Sequence, residues 1–200
     1  MNLPNKLTVF RIVISFFFLI FLFISAPGAK TVALGLFIIG TITDIYDGKL
    51  ARKLGLTTDF GKLMDPLADK ILISSAFISF VQLDPIKIPA WMPALIVIRE
   101  FGITALRIYA LSKGSILSSN RKGKHKMVFQ SGTIFIGLIA LSWKEIWQLL
   151  SKQWNFEWDQ SIGLTMWILT FLAVIHTIVT GVYYLWENRN LLIKHDSENI

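Results

Sequence analysis

Apolar runs of bilayer length dominate this chain and limit what it can fold into. Six stand out, at residues 9–25, 31–46, 63–83, 91–111, 128–150 and 162–186. A helix needs about 20 apolar residues to cross the hydrocarbon core, and a crossing segment must satisfy its own backbone hydrogen bonds. The runs predict an all-α, polytopic membrane protein with six transmembrane helices. Composition agrees, since 54% of the 200 residues are apolar and only 16% are charged. No stretch remains for a separate globular core and no repeat is visible, so 1–200 reads as a single integral-membrane domain. The first run has the length of a signal-peptide core, but Arg11 enters it late and the later runs insert in any case. It reads as a retained first helix.

Charge sets the expected topology. With the N-terminus in the cytoplasm, thirteen of the twenty Lys and Arg residues fall on cytoplasmic segments. Only Lys30, Lys87, Lys144 and Lys152 fall on the other side, and Lys70, Arg99 and Arg107 fall inside runs. This bias predicts a multi-pass protein of the cell membrane with both termini cytoplasmic. The net charge of +7 then reflects that bias and contact with anionic membrane lipid rather than nucleic acid. Cysteine is absent, which excludes disulfides and thiolate ligands. Trp143, Trp147, Trp154 and Trp158 surround the fifth connection and read as an interfacial aromatic belt. Leu3, Leu7 and Phe10 can share one helical face, with Lys6 and Arg11 off it, which predicts a short interfacial helix ahead of the first span. Pro27-Gly28, Pro85, Pro89 and Pro93 are expected to break the chain between spans.

The chemistry concentrates between Asp44 and Asp69. Asp44, Asp47, Gly48 and Ala51 stand at i, i+3, i+4 and i+7, so they share a helical face. Asp65 and Asp69 stand at i and i+4. If these helices are antiparallel neighbours, four carboxylates converge near the cytoplasmic surface. Four unpaired carboxylates repel one another and resist desolvation, and a divalent cation resolves both problems. All-oxygen ligands without His or Cys favour Mg²⁺ or Mn²⁺, one ion or two, and Mg²⁺ keeps positions open for phosphate oxygens. Gly48 and Ala51 let a flat group approach the helix closely, and Arg52 suits a phosphate. Asp59 and Asp84 read as solvated caps instead.

Gapless agreement with D-x-x-D-G-x-x-A-R-x8-G-x-x-x-D-x-x-x-D, from Asp44 to Asp69, resembles the signature of the CDP-alcohol phosphotransferases. That family moves a phosphatidyl or alcohol-phosphate group from a CDP-linked donor to an acceptor hydroxyl and releases CMP. The resemblance implies Asp44, Asp47, Asp65 and Asp69 as metal ligands, with Asp69 also the general base. It implies a CDP-lipid pocket at Asp47, Gly48, Ala51, Arg52 and Gly61, with Thr58 near the diphosphate. Pro4 to Arg11 resembles the family's P-N-x-L-T-x-x-R entry helix, which adds Asn5 and Thr8 to the nucleotide site.

A second group of residues bears on the acceptor. Arg99 and Arg107 stand eight apart on the fourth run, about 80° apart around a helix, so both can border one cavity. Charged residues at such depth are expensive and mark function. Lys70 can serve as counter-ion to the aspartates and Glu100 can neutralise Arg99. The stretch Arg121-Lys122-Gly123-Lys124-His125-Lys126 reads either as a loop on anionic headgroups or as cations for an acceptor phosphate. Arg99-Glu100, Arg107 and the G-K-x-K-x-x-x-Q pattern from Gly123 to Gln130 resemble the branch of the family that joins CDP-diacylglycerol to glycerol 3-phosphate. In that branch Arg99, Arg107, Lys124 and Lys126 would hold the acceptor phosphate. Met127 departs from that branch's usual Thr. Inositol phosphate, inositol and serine remain alternative acceptors within the family.

His125 reads as a loop residue, and His176 as the donor of a helix–helix hydrogen bond. Gly132, Gly137 and Gly163 read as packing positions, and a homodimer contact through them is open to the chain. The rival from another class is a cation transporter, whose mark is intramembrane carboxylate. Against it stand the aspartates' place near one surface and the lack of an inverted repeat.

Overall fold

The computed structural model of the chain describes residues 3–54, 59–112, 122–151 and 156–196, and within them the side chains of 6–44, 64, 67–68, 70–110, 127–150 and 156–189. The described residues form six α-helices and no strand: α1 Leu3–Phe23, α2 Ala29–Leu54, α3 Asp59–Ser79, α4 Trp91–Ser112, α5 Lys122–Ser151 and α6 Phe156–Asp196. Among the described residues, α1, α5 and α6 are long and apolar enough to cross a membrane. In α4 the apolar sequence is interrupted by Arg99, Glu100 and Arg107.

Several helices extend past the apolar runs that announce them, although α1 stops at Phe23 and α3 at Ser79, short of the ends of their runs. Hydropathy measures the thickness of the hydrocarbon, whereas a helix continues into water for as long as its residues favour it. So α2 passes Tyr46 and carries Asp47 to Leu54, and α3 begins at Asp59, ahead of Gly61 and Asp65. At the other boundary, α5 starts at Lys122, which puts Lys124, His125 and Lys126 on its first turns rather than in a loop. The separate interfacial helix expected before the first span is not a distinct element. The chain from Leu3 runs unbroken into the span, with Pro4 inside the first turn, where a missing N–H is harmless. For the same reason Pro93 does not break the chain but sits in the first turn of α4.

α1 packs along α2 and α3, α6 packs along α4 and α5, and α3 also touches α4 and α5. The shared core holds Phe18, Phe37, Phe77, Phe80, Met92, Ile134, Leu138 and Met166. Small residues set the closest approaches. A Cβ on Gly137 of α5 would lie 2.8 Å from both Phe80 Cζ and Met166 Cε, and one on Gly163 of α6 would lie 3.0 Å from the Pro85 carbonyl oxygen. A Cβ on Gly132 would have nothing within 4 Å among the described residues, so Gly132 packs against none of them. Some hydroxyls on the helices return to carbonyls one turn back, as Thr41 does to Phe37 at 2.9 Å and Thr133 to Phe129 at 3.0 Å, which satisfies them without water.

One end of the bundle is tied by charge. Gly28 turns the chain with φ 81°, a conformation open to glycine without steric penalty. Lys30 Nζ donates to the Leu22 and Ile24 carbonyls at the end of α1. Glu145 of α5 accepts the Lys30 and Thr31 backbone N–H groups at 3.0 and 3.2 Å, capping the start of α2. Lys144 meets Asp159 of α6 at 2.8 Å. Trp147 lies 6.1 Å from Trp143 and 5.5 Å from Trp158, ring centre to ring centre, at this same end.

Candidate active site

The opposite end carries the acidic motif. Asp44, Asp47, Gly48, Ala51 and Arg52 lie on α2, while Gly61, Asp65 and Asp69 lie on α3. Close packing one turn away joins these helices. A Cβ on Gly40 of α2 would stand 2.8 Å from Leu72 Cδ2 of α3 and 3.6 Å from Ile14 Cγ2 of α1. Gly40 precedes Asp44 by four residues, Leu72 follows Asp69 by three, and Ile14 follows Arg11 by three. Three residues of helix rise about 4.5 Å, so α1, α2 and α3 meet within about a turn of Asp44, Asp69 and Arg11.

Asp44 shows how the end is built. Its Oδ1 lies 2.9 Å from Arg11 Nη1 of α1, with Arg11 only 2% exposed and Asp44 37% exposed. The cation is thus sunk in the bundle and the carboxylate faces outward. Ser15 donates to the Arg11 carbonyl at 2.8 Å, and Thr8 is buried on the turn before Arg11. The side chains of Asn5, Asp47, Ala51, Arg52, Asp65 and Asp69 lie outside the described ones, as do those of Lys124 and Lys126 on α5, and Thr58 lies outside the described residues.

A polar seam begins one residue beyond Asp69. Glu100 of α4 is 3% exposed; its carboxylate meets Lys70 Nζ of α3 at 3.4 Å and Arg99 Nη1 at 3.3 Å. Gln130 Nε2 of α5 donates to the same carboxylate at 3.3 Å and to Thr177 Oγ1 of α6 at 2.8 Å. Three helices therefore meet on one buried acid, and Gln130 ties the fourth, α6, to it. Arg99 also donates from Nη2 to Thr180 of α6 at 3.3 Å. Its stem lies against Gly181, where a Cβ would come within 3.0 Å of Nε. Two turns on, the exposed Arg107 stands over the ring of Tyr184, 5.7 Å from its centre, within range of a cation–π attraction.

A sequence profile of the CDP-alcohol phosphatidyltransferases matches residues 1–179. The chain belongs to this family. Three bacterial relatives carry the name CDP-diacylglycerol–glycerol-3-phosphate 3-phosphatidyltransferase. That of Bacillus subtilis (strain 168) is 37% identical over 94% of this chain and 95% of its own length. That of Rickettsia bellii (strain RML369-C) is 36% identical over 92% of this chain and 93% of its own length. That of Wigglesworthia glossinidia brevipalpis is 35% identical over 75% of this chain and 81% of its own.

Within this CDP-alcohol phosphatidyltransferase, Arg99 and Arg107 do border one seam, between α4 and α6. Lys70 meets Glu100, and the side chains of Asp65 and Asp69, the aspartates it was expected beside, lie outside the described ones. Sequence reading paired Glu100 with Arg99 but missed Gln130 and Thr177, because nothing local links positions 47 residues apart. It also missed the Arg11–Asp44 pair, whose only signal is an arginine inside an otherwise apolar run. His176 packs beside Phe129 at 6.2 Å, but its buried Nδ1 has no hydrogen-bond partner, so the expected helix–helix bond at that atom is not made. Packing, rather than bonding, holds that ring.

Proposed function

We propose that this chain transfers the phosphatidyl group of CDP-diacylglycerol to glycerol 3-phosphate, giving phosphatidylglycerophosphate and CMP. One observation carries the reading: the helix bearing Asp65 and Asp69 is joined, through Lys70 and Glu100, to the cationic seam of Arg99 and Arg107. Similarity along almost the whole length to phosphatidyltransferases that act on glycerol 3-phosphate supports it. The protein sits in the cell membrane as one domain of six transmembrane helices, the start of α1 lying at the interface. Both termini and the site face the cytoplasm.

Asp44, Asp47, Asp65 and Asp69 would hold one or two divalent ions, Mg²⁺ or Mn²⁺. The donor set suits such ions: carboxylate oxygens only, on helices in contact a turn away, with Asp44 anchored at 2.9 Å by Arg11 and still 37% exposed. When bound, the metal supplies positive charge to the diphosphate and so favours loss of CMP. The chain's own residues do the rest. Gly48, Ala51 and Gly61 leave room for the cytidine nucleotide, and Asn5, Thr8, Asp47, Arg52 and Thr58 fix it. Arg99, Arg107, Lys124 and Lys126 hold the acceptor phosphate. Asp69 takes the proton of the acceptor hydroxyl. The acceptor oxygen then bonds to the phosphatidyl phosphorus as the bond from that phosphorus to the CMP oxygen breaks.

Purified enzyme in mixed micelles with CDP-diacylglycerol and a panel of glycerol 3-phosphate, inositol phosphate, inositol and serine tests the acceptor. CMP release should occur with glycerol 3-phosphate, stop with a chelator, and return with Mg²⁺ or Mn²⁺. Release with another acceptor and none with glycerol 3-phosphate would overturn the reading.

A further inference from the structure

Tyr184 of α6 is 7% exposed, and its hydroxyl is buried with no hydrogen-bond partner. A buried hydroxyl left unpaired is costly, and tyrosine hydroxyls normally find a partner when buried. The ring itself is well placed: it packs against Ala110 of α4, and its backbone carbonyl accepts Asn188 Nδ2 at 2.9 Å. The ring is therefore held in position, and its hydroxyl has no hydrogen-bond partner among the described residues. Its surroundings are cationic. Arg107 stands over the ring, and Arg99 lies within electrostatic reach of both Arg107 and Tyr184. Arg99 Nε, against Gly181 one turn before Tyr184, is a second buried donor without a partner.

Arg99 uses its Nη groups on Glu100 and Thr180, but its Nε and the Tyr184 hydroxyl are donors without an acceptor among the described residues, and Arg107 adds a second guanidinium beside them. A phosphate monoester supplies what is missing, with close to two negative charges and three accepting oxygens. We propose that the Tyr184 hydroxyl is a further donor to the acceptor's phosphate, contributed by α6, and that it favours a phosphorylated acceptor over a neutral one. The inference rests on the proposed reading of Arg99 and Arg107 as the acceptor-phosphate site. Sequence gives no hint of it, since Tyr184 lies in a run of apolar and aromatic residues near the end of the last span.

Tyr184→Phe removes the hydroxyl and keeps the ring. With purified enzyme, the KM for glycerol 3-phosphate should rise roughly tenfold, the size of one hydrogen bond to a charged group. The KM for CDP-diacylglycerol should stay unchanged, and the Tm without substrate should not fall, because no bond within the protein is lost. A KM for glycerol 3-phosphate within twofold of wild type would overturn the proposal, as would equal rises in both KM values or a fall in Tm. Arg107→Gln separates the two layers. If it raises the KM for glycerol 3-phosphate while Tyr184→Phe does not, the Tyr184 assignment alone fails. If neither does, the acceptor-site reading fails with it.

Discussion

Arg11 and Asp44 illustrate how single residues divide the work at this site. A guanidinium that is nearly fully buried is tolerable because a carboxylate lies 2.9 Å away, and the carboxylate keeps a fixed position in return. Asp69 has a different role in the proposed reaction, as proton acceptor. Asp69→Asn keeps an oxygen ligand but cannot take a proton, so CDP-diacylglycerol binding should persist while turnover drops 10²–10⁴-fold. Steady-state kinetics beside equilibrium binding of the CDP-lipid check this, and near-normal turnover would remove Asp69 from the role. Glu100 is a heavily shared acid, meeting Lys70, Arg99 and Gln130. Glu100→Gln removes the carboxylate charge that Lys70 and Arg99 meet, and a loss of about 3 kcal/mol is expected, as when one partner of a buried pair is removed. Thermal unfolding in detergent measures it, with Glu100→Asp expected to recover part of the loss. The acidic motif was legible from sequence because its members lie on two successive helices at helical spacing. Only the Arg99–Glu100 part of the Glu100 junction was legible, because Lys70, Gln130 and Thr177 reach it from three other helices.

Helix lengths and contacts depend on physics that hydropathy sees only in part. Apolar runs located all six helices, yet missed that α2 continues to Leu54 and α5 begins at Lys122. Those extensions put Asp47, Gly48, Ala51 and Arg52 on the helix that their spacing implied, and Lys124 and Lys126 on helix rather than loop. Glycines divide in the same way. Gly137 and Gly132 look alike in sequence, yet only Gly137 is crowded, with Phe80 and Met166 at 2.8 Å from a Cβ there. Gly137→Val should therefore lower stability by about 1–3 kcal/mol through overpacking, while Gly132→Val should leave it within about 0.5 kcal/mol. Thermal unfolding of the two variants side by side checks the contrast, and equal losses would mean that α5 faces the core differently. Gly132→Val has a second readout, since a shift in oligomeric state on size exclusion would place that open face in a homodimer contact.

At the scale of the whole molecule the two ends differ in kind. One end is closed by Lys30, Glu145, Lys144 and Asp159 and ringed by stacked tryptophans; the other carries the aspartates and most of the cations. In the proposed topology the second end lies in the cytoplasm, the compartment that holds a soluble phosphorylated acceptor. Because the chain has no cysteine, single substitutions report sidedness without background. Asn155→Cys, in the connection between α5 and α6, should react with a membrane-impermeant maleimide on intact spheroplasts. Ser197→Cys, beyond α6, should react only after the membrane is opened. The reverse pattern would invert the protein and put the aspartates away from that acceptor. Labelling of both positions from one side would mean that α6 does not cross. In either case the proposed reaction would need a different source of glycerol 3-phosphate, so the orientation is a condition of the mechanism and not only of the fold.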